Sequence, residues 1–270
     1  MGLLMRLLTI LNSAKESSTY YHVAATLLEN FAVIQNFTIT KLAGICFVSK
    51  STISKFARSI GYEDFAEMKI AAAYWSDRHS NRLNYNDNIL GYMKNHTKEE
   101  YIDIIINDLV LAKKCINMEK INEVADDLFV YKKVAAFGIM YSESAAQDFQ
   151  MKLAYNQKYI ISYIDEARQY EFIKKAGEDT LIIIFSNSGD YIKKYQLIKP
   201  YIHKNIFRQT KAKIVIITGN KEMEKHPYVN TCICMEHASV VQTHQILFQI
   251  ATDLITNQYR EKWNSSNMKK

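Results

Sequence analysis

Five short runs rich in β-branched residues, each separated from the next by a helical stretch, leave few folds open to the C-terminal part of this chain. The runs are Lys133–Phe137, Tyr159–Tyr163, Thr180–Phe185, Lys213–Thr218 and Thr231–Met235. Their near-continuous apolarity is what strands buried on both faces require, so the sheet is expected to be parallel and covered by helices. Alternating β and α at this spacing implies a doubly wound, three-layer α/β domain on a five-stranded parallel sheet. Two helices, about 98–113 and 118–131, lead into the first strand. A closing helix is expected over 238–259, with a frayed charged tail after Trp263.

Upstream the pattern is different. Residues 1 to 75 carry helical periodicity and almost no strand signal, with helices expected at about 3–12, 20–35 and 38–46. Residues 76–97 are polar and rich in Asn, without a sustained apolar period, and read as a linker. The expected organisation is an all-α domain over 1–75, the linker, and the α/β domain over 98–263; a chain of 270 residues is long enough for two such cores.

The apolar opening MGLLMRLLTILNS is split by Arg6 and followed by no small-residue cleavage site, so it reads as an amphipathic helix rather than a signal peptide. Arg at position 6 also removes the Ser or Thr that a myristoylation signal needs. Elsewhere the longest apolar run, Leu181–Phe185, is too short to span a bilayer. With 48% apolar and 23% charged residues, the composition is that of a soluble globular protein, expected in the cytoplasm and away from membranes. Cys46, Cys115, Cys232 and Cys234 form no CxxC pair and no disulfide framework. Cys232 and Cys234 fall inside a strand among apolar neighbours and read as core, so neither a metal nor a cofactor is expected.

The most informative local stretch is Thr38 to Ile60, TITKLAGICFVSKSTISKFARSI. Thr38 caps a short helix ending near Cys46, Phe47-Val48 fills a turn, and Ser49 caps a second helix running to Ile60. In that helix Ile53, Phe56, Ala57 and Ile60 share one stripe, and Gly61 stops it. Small Ala43 allows the helices to approach closely, and Val48, Ile53 and Phe56 form the wedge that sets their angle. This is the pattern of a helix-turn-helix, whose second helix offers its N-terminal half to the major groove. Here that half presents Lys50, Ser51, Thr52, Ser54 and Lys55, with Arg58 one turn on. Between Thr38 and Ile60 there are four basic residues and no acidic one, which suits phosphate contacts and salt-dependent affinity. The net charge of +6 is permissive for nucleic acid without being diagnostic.

VSKSTISKFARSIGYEDFAEMK, from Val48 to Lys69, resembles the helix-turn-helix of the RpiR (MurR/RpiR) family of bacterial regulators, with its Val-Ser-x-Ser-Thr-Ile-x-Lys/Arg-Phe stretch, Gly-Tyr/Phe turn and Phe-rich helix. The family pairs this domain with a C-terminal SIS (sugar isomerase) domain that binds phosphorylated sugars, so the resemblance spans almost the whole chain. It implies a DNA-binding transcriptional regulator of carbohydrate metabolism genes, with double-stranded operator DNA as partner, a phosphorylated sugar as effector and a homodimer or higher homo-oligomer as the assembly. It does not imply an enzyme.

In the second domain, special residues gather where strands end. Gly138-Ile139-Met140-Tyr141-Ser142 follows the first run, Ser186-Asn187-Ser188-Gly189 the third, and Thr218-Gly219-Asn220 the fourth. Three of the chain's eight glycines lie at these turns. Strand ends of an open sheet build its binding crevice, and helix N-termini with serine hydroxyls suit a phosphate; Gly and Ser also serve such turns for conformational reasons alone.

The resemblance matches Ser186, Ser188 and Gly189 to the Ser-x-Ser-Gly-x-Thr phosphate loop of SIS domains, and Ser142 to the serine that opens the first helix. The candidate ligand-binding set is therefore Ser142, Ser186, Asn187, Ser188 and Gly189. The chain departs from the pattern at Met140, Tyr141 and Tyr191, which replace a glycine, a serine and the threonine. These bulky residues leave open a degenerate, ligand-blind SIS domain kept for dimerisation. A sugar-phosphate isomerase with an accessory N-terminal domain is the further alternative, since SIS isomerases use a Glu or His near Glu236, His237 and His244. The acid-free basic helix face argues against that alternative. No catalytic residue is assigned, and the two histidines read as packing or pocket-lining residues.

Overall fold

The computed structural model describes residues 3–76, 85–139, 141–193, 206–242 and 244–267. They fall into two compact units, divided between Asn81 and Arg82.

The first unit is helical throughout: α1 (Leu3–Ser13), α2 (Thr19–Glu29), a 3-10 turn (Phe31–Asn36), α3 (Ile39–Ile45), α4 (Lys50–Ser59) and α5 (Phe65–Ser76). Side-chain caps start three of these helices: the Ser18, Thr38 and Ser49 hydroxyls accept the Tyr21, Lys41 and Thr52 amides. The core closes around Leu7, Leu27, Ile34, Leu42, Ile53, Phe56 and Met68, all fully buried. Arg6 is also buried, and its guanidinium donates to the carbonyl of Ile60 and lies 4.5 Å from the Tyr62 ring centroid. The residue that interrupts the apolar opening of the chain thus satisfies the C-terminal end of α4, where unpaired carbonyls attract a cation.

α3 and α4 end alike. After α4, Gly61 has φ +87°, its amide donates to Arg58 and the Tyr62 amide donates to Ala57. After α3, Phe47 has φ 52°, with its amide donating to Gly44 and the Val48 amide to Ala43. Both are Schellman endings, which favour glycine at the left-handed position. Phe47 and Val48 thus form the turn between the two helices, as expected. The left-handed backbone turns the Phe47 side chain outward, 95% exposed, and leaves Val48 alone to pack against the core.

The second unit begins within the stretch expected to be a linker. Residues 77–84 of that stretch lie outside the described residues, but from Asn86 the chain is helical, first with π-type bonding (Asn86–Leu90) and then as α6 (Gly91–Met93). α7 (Lys98–Cys115) opens with a Thr97/Glu100 capping box and α8 (Met118–Val130) with an Asn117 cap. The sheet follows: β1 (Lys133–Phe137), β2 (Thr180–Phe185), β3 (Lys213–Thr218) and β4 (Thr231–Cys234), all parallel and in that order. Between β1 and β2 lie α9 (Tyr141–Tyr155) and α10 (Glu166–Lys175), and between β2 and β3 lie α11 (Asp190–Lys193) and α12 (Ile206–Gln209). α13 (Ile246–Asn267) closes the chain. Leu181, Ile183 and Phe185 of β2 pack with α8, α9 and α13, while Ile182 and Ile184 pack with α10 and α12. These are the three expected layers.

The expected fifth strand is reduced to one bridge. In Tyr159–Tyr163 only Ile161 pairs, through its amide to Val134 and its carbonyl from Ala136. The Tyr163 carbonyl is taken instead by the Gln169 side chain at 2.5 Å, and Tyr159 stands 78% exposed. The described sheet therefore has four strands, with the Ile161 segment along the outer side of β1.

The closing helix is shifted as well. Residues 238–242 are not helical, because side chains take their backbone groups. The Ala238 amide donates to Asp108, the Val240 carbonyl accepts from Asn88, and the Gln242 amide donates back to Asn88. α13 starts only at Ile246, and it runs past Trp263 to Asn267 where fraying was expected.

Candidate functional site

α4 presents the face read from the sequence. Ile53, Phe56 and Ala57 are buried; Lys50, Ser51, Lys55 and Arg58 are exposed; Thr52 and Ser54 are half-buried. Thr52 is partly committed to the helix start, its hydroxyl lying 2.9 Å from that of Ser49. No acidic residue occupies the first turn, so Lys50 adds its charge to the positive end of the helix dipole. An uncompensated arrangement of this kind gains from an anion at the helix start.

The turns that follow β2 and β3 are bonded together at the end of the sheet where Gly138 follows β1. With the Ile161 segment on one side of β1 and β2 on the other, the chain changes direction at the β1/β2 boundary, where open α/β sheets bind ligands. Gly138 ends β1 and packs against the first turn of α9, which carries Tyr141 and Ser142; a Cβ at Gly138 would lie 2.3 Å from the Ser142 carbonyl oxygen. Beyond β2, the Ser186 hydroxyl accepts the Tyr191 amide at 3.3 Å and that of Ser188 accepts the Asp190 amide at 3.2 Å. Gly189 turns the loop at φ +77° and sits against Met223, where a Cβ would come within 2.5 Å of sulfur. Asn220, after β3, holds the Ser188 carbonyl through its amide at 2.9 Å. Ser186, Asn187, Ser188 and Gly189 thus form one braced loop, and Ser142 sits on the helix opening after the neighbouring strand.

Of the three departures, Met140 lies outside the described residues. Tyr191 is buried in the sheet–helix core, its hydroxyl donating to Gln169 at 2.5 Å and its ring 6.2 Å from that of Phe207. Tyr141 is 38% exposed, its ring 6.1 Å from that of Tyr85. Of the two departures within the described residues, only Tyr141 is partly exposed.

One group of residues was not assembled from the sequence. Asp108, in the middle of α7, is fully buried and receives both histidines of the loop before α13. His237 Nδ1 lies 2.9 Å and His244 Nε2 2.6 Å from Asp108 Oδ2, and the Ala238 amide donates to Oδ1 at 2.5 Å. On its other side His237 Nε2 lies 3.0 Å from Asn187 Oδ1, so the group joins the candidate ligand loop. Burial raises the Asp108 pKa, but the bonds from His237, His244 and the Ala238 amide outweigh it and hold the carboxyl well below the usual range. Asp108 was legible only as a carboxylate in line with Ala112 on the buried stripe of α7. Glu236 stands apart, paired with Lys221 at 3.2 Å. Burial pushes the Cys232 and Cys234 thiols up to about 12 and about 11, which suits the core role expected of them. No helix among the described residues is long and apolar enough to cross a membrane.

Comparison with known proteins bears on both units. Residues 5–76 match the helix-turn-helix domain of the rpiR family. The chain is 25% identical over 138 residues to an uncharacterised HTH-type transcriptional regulator of Caldanaerobacter subterraneus subsp. tengcongensis, covering 49% of this chain and 46% of that one. It is 22% identical over 190 residues to another in the aarA 3′ region of Providencia stuartii, covering 68% and 65%. The chain thus spans less than two thirds of either relative. Among solved structures, the NanR protein of Vibrio vulnificus, determined with ManNAc-6P, shares the fold over 97% of this chain and 93% of its own at a TM-score of 0.51 and 16% identity. The chain carries at its N-terminus a helix-turn-helix domain that matches the rpiR family, followed by an α/β domain on a parallel sheet.

Proposed function

We propose that this chain is a DNA-binding transcriptional regulator of the RpiR type, in which a phosphorylated sugar held at the β1/β2 crevice changes operator affinity. The observation that carries the reading is α4, a capped helix anchored by Ile53 and Phe56 whose outer face shows Lys50, Lys55 and Arg58 without an acidic neighbour. The HTH-type regulators among its relatives support the same class. For the effector, the support is the braced loop from Ser186 to Gly189. Its two serine hydroxyls accept backbone amides yet keep their protons for donation to a phosphate. The sugar phosphate bound by the Vibrio vulnificus protein makes N-acetylmannosamine 6-phosphate the first ligand to test.

Coupling follows from the loop before α13. It bonds to Asn187 at the crevice, to Asp108 in α7 and to Asn88 at the start of the second unit. A ligand that moves the Asn187 loop shifts all three, and affinity for DNA changes only as far as the two arrangements bind the ligand differently. A homodimer fits an operator with two half-sites. Ile102, Ile106 and Val110 form an exposed apolar stripe on α7 that a second copy would cover.

Operator binding, measured by fluorescence anisotropy on sites selected from random DNA, tests the first half. Replacing Lys55 and Arg58 together with Ala is expected to weaken binding roughly 10- to 100-fold and to reduce the salt slope by about 2. An unchanged slope removes both residues from the interface. Thermal shift with a phosphosugar panel tests the second half. Ser186→Ala with Ser188→Ala is expected to abolish stabilisation seen with the native chain. If no phosphosugar shifts the native chain, the second domain is ligand-blind; isomerised product above background would make it an enzyme.

A further inference from the structure

The proton inventory around Asp108 leaves a gap. Asn187 donates through Nδ2 to the Gln242 carbonyl at 2.9 Å, so its orientation is set and its Oδ1 must accept. The group facing Oδ1 is His237 Nε2, at 3.0 Å, which therefore carries the ring proton. His237 Nδ1 faces Asp108 Oδ2 at 2.9 Å in a buried site, and it bonds the carboxylate there only with a second ring proton; without one it offers a lone pair. His244 brings a second imidazole to the same oxygen, 2.6 Å away, while its Nδ1 is buried with no hydrogen-bond partner among the described residues. Either a second proton on His237 or a cation between the groups relieves this contact.

We propose that Asp108, His237 and His244 form a binding site for a divalent transition-metal ion, with zinc as the reference case. One ligand atom from each residue lies within 4.8 Å of the others, and two imidazole nitrogens with one carboxylate oxygen are a donor set such ions favour. A tetrahedral ion at 2.0–2.1 Å from each donor sets them roughly 3.4 Å apart. The His237 and His244 contacts with Asp108 therefore open by less than an ångström on binding. The outer contacts have the form metal sites use. The His237 Nε2–H donates to Asn187, which fixes the ring and its tautomer, and the second Asp108 oxygen is held by the Ala238 amide. Three protein ligands leave one position for water or another small ligand. The site stands independently of the sugar-phosphate reading, though it shares Asn187 with it.

The test is titration of the full, chelator-treated chain with Zn²⁺ against a chromophoric chelator, and with Co²⁺ by visible absorption. One ion per chain is expected, with Co²⁺ ligand-field bands and no thiolate charge-transfer band. Asp108→Asn, His237→Gln and His244→Gln are each expected to weaken Zn²⁺ binding by more than roughly 100-fold, and Asn187→Ala by roughly 10- to 100-fold as an outer-shell partner. Thermal melts in chelator show whether each variant is folded. Should the ligand variants fail to fold, zinc-edge X-ray absorption on the native chain reads the site directly, with two imidazoles and no sulfur expected. The proposal is overturned by absence of tight Zn²⁺ or Co²⁺ binding, by a thiolate band that moves the ion to the cysteines, or by folded ligand variants that bind as the native chain does.

Discussion

Phe56→Ala is expected to remove most of the stability of the N-terminal unit and all measurable operator binding, while the second unit unfolds at its native temperature. Phe56 is fully buried at the centre of the first core, edge-on to Tyr20 with ring centroids 5.4 Å apart. Truncation to Ala costs about 3–5 kcal/mol through lost transfer energy and an unfilled cavity. A domain of this size is stable by roughly 5–15 kcal/mol, so the loss is a large share of the whole. It also strikes the helix that carries Lys55 and Arg58, because Phe56 is the anchor between them. Calorimetry on the full chain, read beside anisotropy with operator DNA, checks both halves. A single transition shifted as one, or native DNA binding by the variant, would show that the two units do not have the separate cores described above.

Gly138→Ala is the larger test of the second unit. The added Cβ would meet the Ser142 carbonyl oxygen at 2.3 Å, its carbon at 2.4 Å and the Glu143 nitrogen at 2.9 Å. All three are backbone atoms of the first turn of α9, so no side chain can swing aside to make room. The helix must retreat from the end of β1, at a cost of about 3 kcal/mol, the upper end of overpacking in a close-packed core. The retreat carries Ser142 away from the Ser186–Gly189 loop, so sugar-phosphate stabilisation should disappear with it. Denaturant unfolding and thermal shift on the same variant measure the two effects. A variant as stable as the native chain would mean that α9 is not held against β1 as closely as this.

The features legible in the sequence were those written in local patterns. Ser49, the Ile53/Phe56/Ala57 stripe and Gly61 specify a capped helix with one buried face, and each residue was found in that role. β2 reads as Thr-Leu-Ile-Ile-Ile-Phe and is buried at every position, because only a strand covered on both faces tolerates such a run. Local patterns failed where a distant side chain took over the backbone. Residues 238–242 have the composition of a helix start, but Asn88 and Asp108, more than 120 positions away, claim their amides and carbonyl. Tyr159–Tyr163 has the residues of a strand, yet Gln169 takes the carbonyl that would have extended the ladder. Phe47 sits where a glycine signal would mark the turn, so its left-handed backbone could not be foreseen from its identity.

By itself the sequence determined the two-part organisation, the capped helix with its basic outer face and the strand-end loop proposed as the ligand site, because periodicity, caps and turns act over a few residues. Only the tertiary structure decided how that loop is braced. Hydrogen bonds between groups far apart in the chain tie Asn187 to His237, and His237 with His244 to Asp108. Such contacts leave no spacing in the sequence, since what brings the groups together is the packing of α7 and the sheet around a shared core.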